Sequence, residues 1–149
     1  MISIDKFAII VENTPLISID FVIEKGGHYL LGKRINKPAQ GYYFTVGGRI
    51  LKNETIHQAI MRISLKEIGL RVSMEQLKFL GIFEHFYHDS FPSDNITTHY
   101  IVLAYLLHLD QEVDLPMLEH DEYRYFSKDE LMYNSHVHEN VKDYFRGEI

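Results

Sequence analysis

The sequence predicts an α+β fold: a mixed β-sheet sandwiched between helices, in an α/β/α arrangement. Three observations lead there. Apolar residues alternate at period two in several stretches. One central stretch changes to helical spacing. Strand-like segments both precede and follow that helix, so strands and helix share one core. With 149 residues, the expectation is a single domain over 1–149, long enough to bury a proper core.

Each element has a local reason. Ser3 is a cap for a short first helix over "SIDKFAIIVEN". In "LISIDFVIE", Ile17, Ile19, Phe21 and Ile23 fall on one face of a strand. Gly26-Gly27 signals a hairpin, and "HYLLGKR" pairs back. "GYYFTVGGRI" reads as strand and turn. Ile56, Ala59, Ile60 and Ile63 then follow helical spacing, with a capping box from Thr55 and Gln58 and a stop at Gly69. "LKFLGIFEHFY" and "TTHYIVLAYLLHL" are strands, the second apolar enough to be central. The loop between them, His88 to Ile96, contains Pro92. "LDQEVDLPMLEHDE" is acidic and irregular, "EYRYF" is a short strand, Ser127 and Glu130 form a further capping box, and "HVHENVKDYF" is a final amphipathic helix.

Composition narrows the function classes. At 46% hydrophobic and 24% charged the chain is an ordinary globular one. A net charge of −6 with no basic patch argues against a general nucleic-acid binder. The absence of cysteine excludes disulfides, thiolate metal sites and a cysteine nucleophile. No apolar run reaches the ~18 residues of a membrane span, and the start lacks the pattern of a signal peptide. The expectation is a cytoplasmic protein without nucleic-acid or membrane partners.

Several residues stand out chemically. Glu67 falls on the apolar stripe of Ile56, Ile60 and Ile63. A carboxylate there is protonated, paired, metal-bound or reaching solvent at the helix end, because a lone buried charge is costly. Asp20 interrupts the minor face of an apolar strand, between Ser18 and Val22. It is either a solvent-facing residue or a site residue. His85 shares a strand face with Phe83 and Tyr87, where a hydrogen-bonded core histidine is the plain account. His120 lies in the irregular segment "LEHDE", where it is either solvated among acids or reaches a cleft from a loop. Arg34, Arg49 and Tyr100 have surface or packing roles as alternatives to contact with an anionic ligand.

Between Gly47 and Leu70 the spacing is Gly-x5-Glu-x7-Arg followed by Glu-x-Gly-aliphatic, supplied by Gly48, Glu54, Arg62, Glu67, Gly69 and Leu70. This resembles the Nudix box of the Nudix hydrolases. There a glycine turn and a following helix aim oxygen ligands at a divalent ion that grips a diphosphate. The family sequence ends Arg-Glu-x-x-Glu-Glu; here Ile63 and Lys66 replace the first two of those glutamates. From Thr14 to Phe145, "TPLISIDFVIE", "LLGKR", "NKPAQGYYF", "HFYHDSF", "TTHYIVL" and "EHDEYRYF" look like the GDP-mannose mannosyl hydrolase subgroup. That subgroup also lacks the two glutamates and cuts a glycosyl C–O bond rather than a phosphoanhydride.

The resemblance implies one Mg²⁺ per site, with Mn²⁺ as an alternative, held by Glu67, the Gly47 carbonyl and Glu119. It implies His120 as the base and His85 as an orienting residue. By the same resemblance Asp20 is expected to contact the mannosyl unit and favour positive charge on the ring, Arg34 and Arg49 to clamp the diphosphate, and Tyr100 to donate to the leaving group. Arg62 is expected to pair with Glu54 and hold the loop. A homodimer is implied in the same way. The substrate expected is GDP-mannose or GDP-glucose, cleaved with inversion. A phosphoanhydride-cutting pyrophosphatase and a nucleotide-sugar binding module without turnover are the alternatives.

The chain departs from the subgroup at Val46, where a proline often stands, and at Glu119, where the subgroup has glutamine. The extra carboxylate is expected to tighten metal binding. Together with Asp121 and Glu122, it is expected to raise the pKa of His120.

Overall fold

The structure is a computed structural model describing residues 2–117 and 119–147. Its elements are α1 (Ile4–Asn13), β1 (Leu16–Lys25), β2 (His28–Arg34), β3 (Tyr43–Phe44), β4 (Val46–Arg49), α2 (Ile56–Ile68), β5 (Leu77–Tyr87), β6 (Thr98–His108), β7 (His120–Phe126), α3 (Lys128–Tyr133) and α4 (Glu139–Lys142). Two 3₁₀ turns, Met74–Gln76 and Asp143–Phe145, complete them. The caps fall where the sequence predicts. Thr55 and Gln58 bond reciprocally at the start of α2, and Gly69 ends it in the left-handed region at φ 72°. Ser3 accepts from the Lys6 N–H at the start of α1.

The strands form one mixed sheet of order β3-β2-β1-β6-β5, with β4 also pairing β1 and β7 also pairing β2. The β1–β6 pair is parallel, and the other pairs are antiparallel. β1 meets β2 only over Ile23–Lys25, while β4 takes its other half over Ser18–Phe21. The chain from β3 to β4 therefore changes partner at Thr45, leaving β2 for β1. The sheet forks there, and the fork opens a cleft.

Two apolar clusters lie on the two sides. One joins Ile19, Phe21, Ile23 and Leu30 to Ala59, Ile60, Ile63 and Ile68 of α2. The other joins Val22, Leu31, Tyr43, Phe44 and Val102 to Leu131, Val141, Tyr144 and Phe145 of the C-terminal turns. Each fully buried aliphatic side chain contributes about 1.5–3 kcal/mol. Gly48 lets α2 approach β4, since a Cβ there would lie 3.2 Å from Ile63 Cγ1.

Three expectations change. The alternation in β1 does not separate a buried face from a polar one: Ser18, Asp20 and Val22 are buried as well, and Ile17 is half exposed. The cause is position, since β1 has strands on both edges and apolar layers over both faces. The last helix is only α4, with His138 as its cap, continued as a 3₁₀ turn rather than a helix over all of "HVHENVKDYF". Finally, β7 begins at His120 instead of Glu122, so His120 is a strand residue and not a loop residue.

Candidate functional site

The fork opens into a cleft of roughly 340 Å³ whose lining includes Asp20, Arg34, Gly47, Arg49, Tyr100 and His120. That volume suits a small ligand. Residues named from the sequence on β1, β2, β4, β6 and β7 thus meet in one place.

Asp20 is buried on β1. Its Oδ2 accepts from Tyr144 Oη at 2.5 Å and from Thr45 Oγ1 at 3.0 Å. Burial raises its pKa to about 6, while these two bonds and the Arg34 charge oppose the rise. Its Oδ1 lies beside Gly47, where a Cβ would stand 2.5 Å from it. The glycine is what makes room for this carboxylate.

His120 is 1% exposed. A register shift between Lys33 and Arg34 of β2 carries the pairing from Glu122 to His120 and leaves Asp121 over, a bulge that re-aims the strand end. The ring packs against Tyr123 at 5.4 Å between centroids, and its Nδ1 lies 3.4 Å from Tyr123 Oη. The single proton of that hydroxyl goes to the Pro116 carbonyl at 2.6 Å. The hydroxyl therefore accepts from Nδ1–H, leaving Nε2 bare. Nε2 is buried and has no hydrogen-bond partner among the described residues. The expected rise in the His120 pKa is corrected. Burial first and the Arg34 charge second lower it to about 4, against opposing contributions from Glu119 and Asp121. Glu119 does act in the expected direction, but it is outweighed. Its own charge is also met by Lys66, whose Nζ lies 3.6 Å away.

On α2, Ile63 is buried in the core and Glu67 is 4% exposed, close enough to Glu119 to feel its charge. Burial and then the Glu119 charge push the Glu67 pKa up. Two neighbouring carboxyls, one pushed toward keeping its proton, offer hard oxygens of the kind a divalent cation takes. Ile50 N–H bonds Ile17 O, so the Asp20–Gly47 pair falls between hydrogen-bonded pairs and the Gly47 carbonyl turns away from β1. Glu67, Glu119 and the Gly47 carbonyl supply oxygen donors of the type that Mg²⁺ or Mn²⁺ takes, although Glu67 is not among the residues lining the cleft. Among the described residues no cluster of three or more His, Cys, Asp or Glu side chains is gathered for a metal, so water or ligand oxygens would complete its sphere. Arg62 binds Glu54 through Nε at 2.7 Å and the Arg49 carbonyl through Nη2 at 2.8 Å, pinning the loop before α2.

Arg34 lines the cleft and donates from Nε to the Pro38 carbonyl at 2.8 Å, and its charge is felt by Asp20, Glu67, His120 and Tyr100. Arg49 lies over the Phe7 ring of α1 at 4.8 Å. Burial raises the pKa of Tyr100, keeping its hydroxyl protonated. His85 is buried, with Nε2 3.4 Å from Tyr144 Oη and Nδ1 3.5 Å from Tyr87 Oη.

Sequence reasoning missed Thr45, Tyr144, Tyr123, Phe7 and Gly32. Only Gly32 carried a signal. A glycine inside a strand marks a close approach, and a Cβ there would lie 2.7 Å from the His120 ring.

The NUDIX domain family model matches residues 15–145. The low-salt glycan biosynthesis protein Agl8 of Haloferax volcanii is 42% identical over 108 residues, covering 72% of this chain and 68% of that protein. The ADP-ribose pyrophosphatase of Methanocaldococcus jannaschii is 31% identical over 93 residues, covering 62% of this chain and 50% of that one. Among solved structures, the MutT protein of Methanosarcina mazei Go1 superposes with a TM-score of 0.70 at 19% identity, over 89% of this chain and 92% of its own. The last likeness shows a shared fold.

Proposed function

The chain belongs to the NUDIX domain family, and we propose that it hydrolyses a nucleotide sugar, GDP-mannose or GDP-glucose, to GDP and the free sugar, by attack of water at the anomeric carbon with inversion. The observation that carries this reading is the bare Nε2 of His120, buried without a partner in the same cleft as Asp20. A neutral imidazole with an unpaired ring nitrogen has the chemistry of a general base. Water loses its proton to Nε2 as its oxygen bonds the anomeric carbon. The C–O bond to the diphosphate breaks, and its electron pair leaves on the diphosphate oxygen. Arg34 and Arg49 stabilise that oxygen, and Tyr100 can donate to it. Asp20 presents Oδ1 to a sugar ring that gains positive charge in the transition state.

A Mg²⁺ or Mn²⁺ ion, one per site, would be held by Glu67, Glu119 and the Gly47 carbonyl, and supplies charge neutralisation of the diphosphate. Ile63 and Lys66 suit this division of labour. The base sits on β7, so α2 needs only Glu67. The Haloferax relative is named a glycan biosynthesis protein, which supports a sugar-bearing substrate.

Turnover in ¹⁸O-labelled water with Mg²⁺ tests the reading. Label is expected in the sugar. Label in a phosphate would make the protein a pyrophosphatase, the activity named for the Methanocaldococcus relative. No turnover of any nucleotide sugar would make it a binding module.

A further inference from the structure

Tyr144 lies at the far end of the chain from Asp20, 124 residues away, in the 3₁₀ turn that follows α4. Its hydroxyl nevertheless makes the shortest hydrogen bond to Asp20. We propose that Tyr144 is a positioning residue for Asp20, holding Oδ2 so that Oδ1 is the oxygen offered to the cleft. The proposal rests on the reading of Asp20 as the carboxylate facing the sugar.

The proton count sets the direction of the contacts. A tyrosine hydroxyl has one hydrogen. At 2.5 Å from Asp20 Oδ2 that hydrogen is donated to the carboxylate, a charge-assisted bond stronger than a neutral one. Toward His85 Nε2 at 3.4 Å the tyrosine oxygen can then only accept, so Nε2 carries the imidazole hydrogen. His85 Nδ1 is left bare and accepts from Tyr87 Oη at 3.5 Å. The bonds run one way: Tyr87 to His85, His85 to Tyr144, Tyr144 to Asp20. This requires a neutral His85, and burial lowers its pKa to about 4. The two outer contacts are long and fix direction more than energy.

The network also fixes rotation. A carboxylate turns easily about its terminal torsion. Here Tyr144 and Thr45 both donate to the same oxygen. Oδ2 is satisfied by the protein, and Oδ1 stays on the Gly47 side. Tyr144 is itself held by Phe83 at 4.8 Å, edge to face, and is 3% exposed. The aim of the carboxylate is therefore set by the packing of the C-terminal turn.

The test is a double-mutant cycle. Tyr144→Phe removes one hydroxyl and keeps the ring, and its fold is checked by thermal melting. On a nucleotide sugar it is expected to lower kcat by about tenfold or more with KM unchanged, the loss from one bond to a charged group. In Asp20→Asn the same substitution is expected to cost no further factor, because the charge it positions is gone. Wild-type kcat in Tyr144→Phe, or losses that multiply in the double variant, would overturn the proposal. Proton NMR gives a readout independent of turnover. The buried Tyr144 hydroxyl is expected as a slowly exchanging downfield resonance that disappears in Tyr144→Phe and moves in Asp20→Asn. Its absence from the wild type overturns the contact. A wild type that shows the resonance but releases no sugar defeats the functional reading and leaves the positioning contact standing.

Discussion

Asp20 carries a cost that function explains. Its pKa rises from 3.8 to about 6 on folding, chiefly through burial. Below pH 3.8 both states hold the proton. Between 3.8 and about 6 the unfolded chain loses it first, so stability falls as pH rises and the deficit is complete above about 6. The shift corresponds to at most about 3 kcal/mol. Asp20→Asn keeps an oxygen for Tyr144 and Thr45 but removes the charge. It is expected to melt a few degrees higher than wild type at pH 8, to lose that advantage below pH 4, and to turn over poorly. Melting curves across that range decide it; an Asn variant less stable at pH 8 would mean the charge is better solvated than its burial indicates. His85 works in the opposite sense. Its stability contribution is whole above pH 6.5 and is lost as pH falls toward about 4. The sequence marked Asp20 as out of place on an apolar strand, but nothing near it in the chain pointed to Tyr144, because the partner arrives only when the C-terminal turn docks.

Among the elements, β7 best separates what was legible from what was not. The strand itself was visible in "EYRYF", and its continuation to His120 was not, because the bulge at Asp121 breaks the alternation that signals a strand. The same bulge puts His120 on the side of Tyr123 and against Gly32 of the neighbouring strand. Gly32→Ala is therefore a test of the base at arm's length. A methyl 2.7 Å from the imidazole cannot be accommodated without moving it, and both neighbours lie in paired strands. We expect a loss of about 1–3 kcal/mol in stability from overpacking and a fall in kcat of about a hundredfold from displacing the ring. Gly32→Ala activity close to wild type would show that the ring can retreat and still serve. By contrast, α2 and its box were almost fully legible, since the capping box, the left-handed Gly69 and the Arg62–Glu54 pair are all short-range.

On the scale of the whole molecule, the fork in the sheet brings residues of β1, β2, β4, β5, β6 and β7 to one cleft, and a fork is a long-range fact. Only pairing shows that β1 gives one half to β2 and the other to β4. The metal pair is of this kind too: Glu67 from α2 meets Glu119 from the segment before β7, 52 positions apart by residue number. Their proximity makes a prediction about the folded protein as a whole. Burial and the neighbouring charge raise the Glu67 pKa above its ordinary 4.5. Below pH 4.5 both states are protonated and the group is neutral to stability. As pH rises from there toward the folded pKa, the unfolded chain releases its proton first and the metal-free fold weakens. A divalent ion that takes the place of the retained proton removes this deficit, so its benefit grows with pH. Adding Mg²⁺ at about a hundred times its dissociation constant should stabilise the fold by about 2.7 kcal/mol. At a fixed Mg²⁺ concentration, the rise in melting temperature should be larger at pH 8 than at pH 6. In Glu67→Gln the metal-free protein should lose less stability with rising pH and respond little to Mg²⁺. A Mg²⁺ response that is equal at both pH values, or that survives in Glu67→Gln, would place the ion elsewhere.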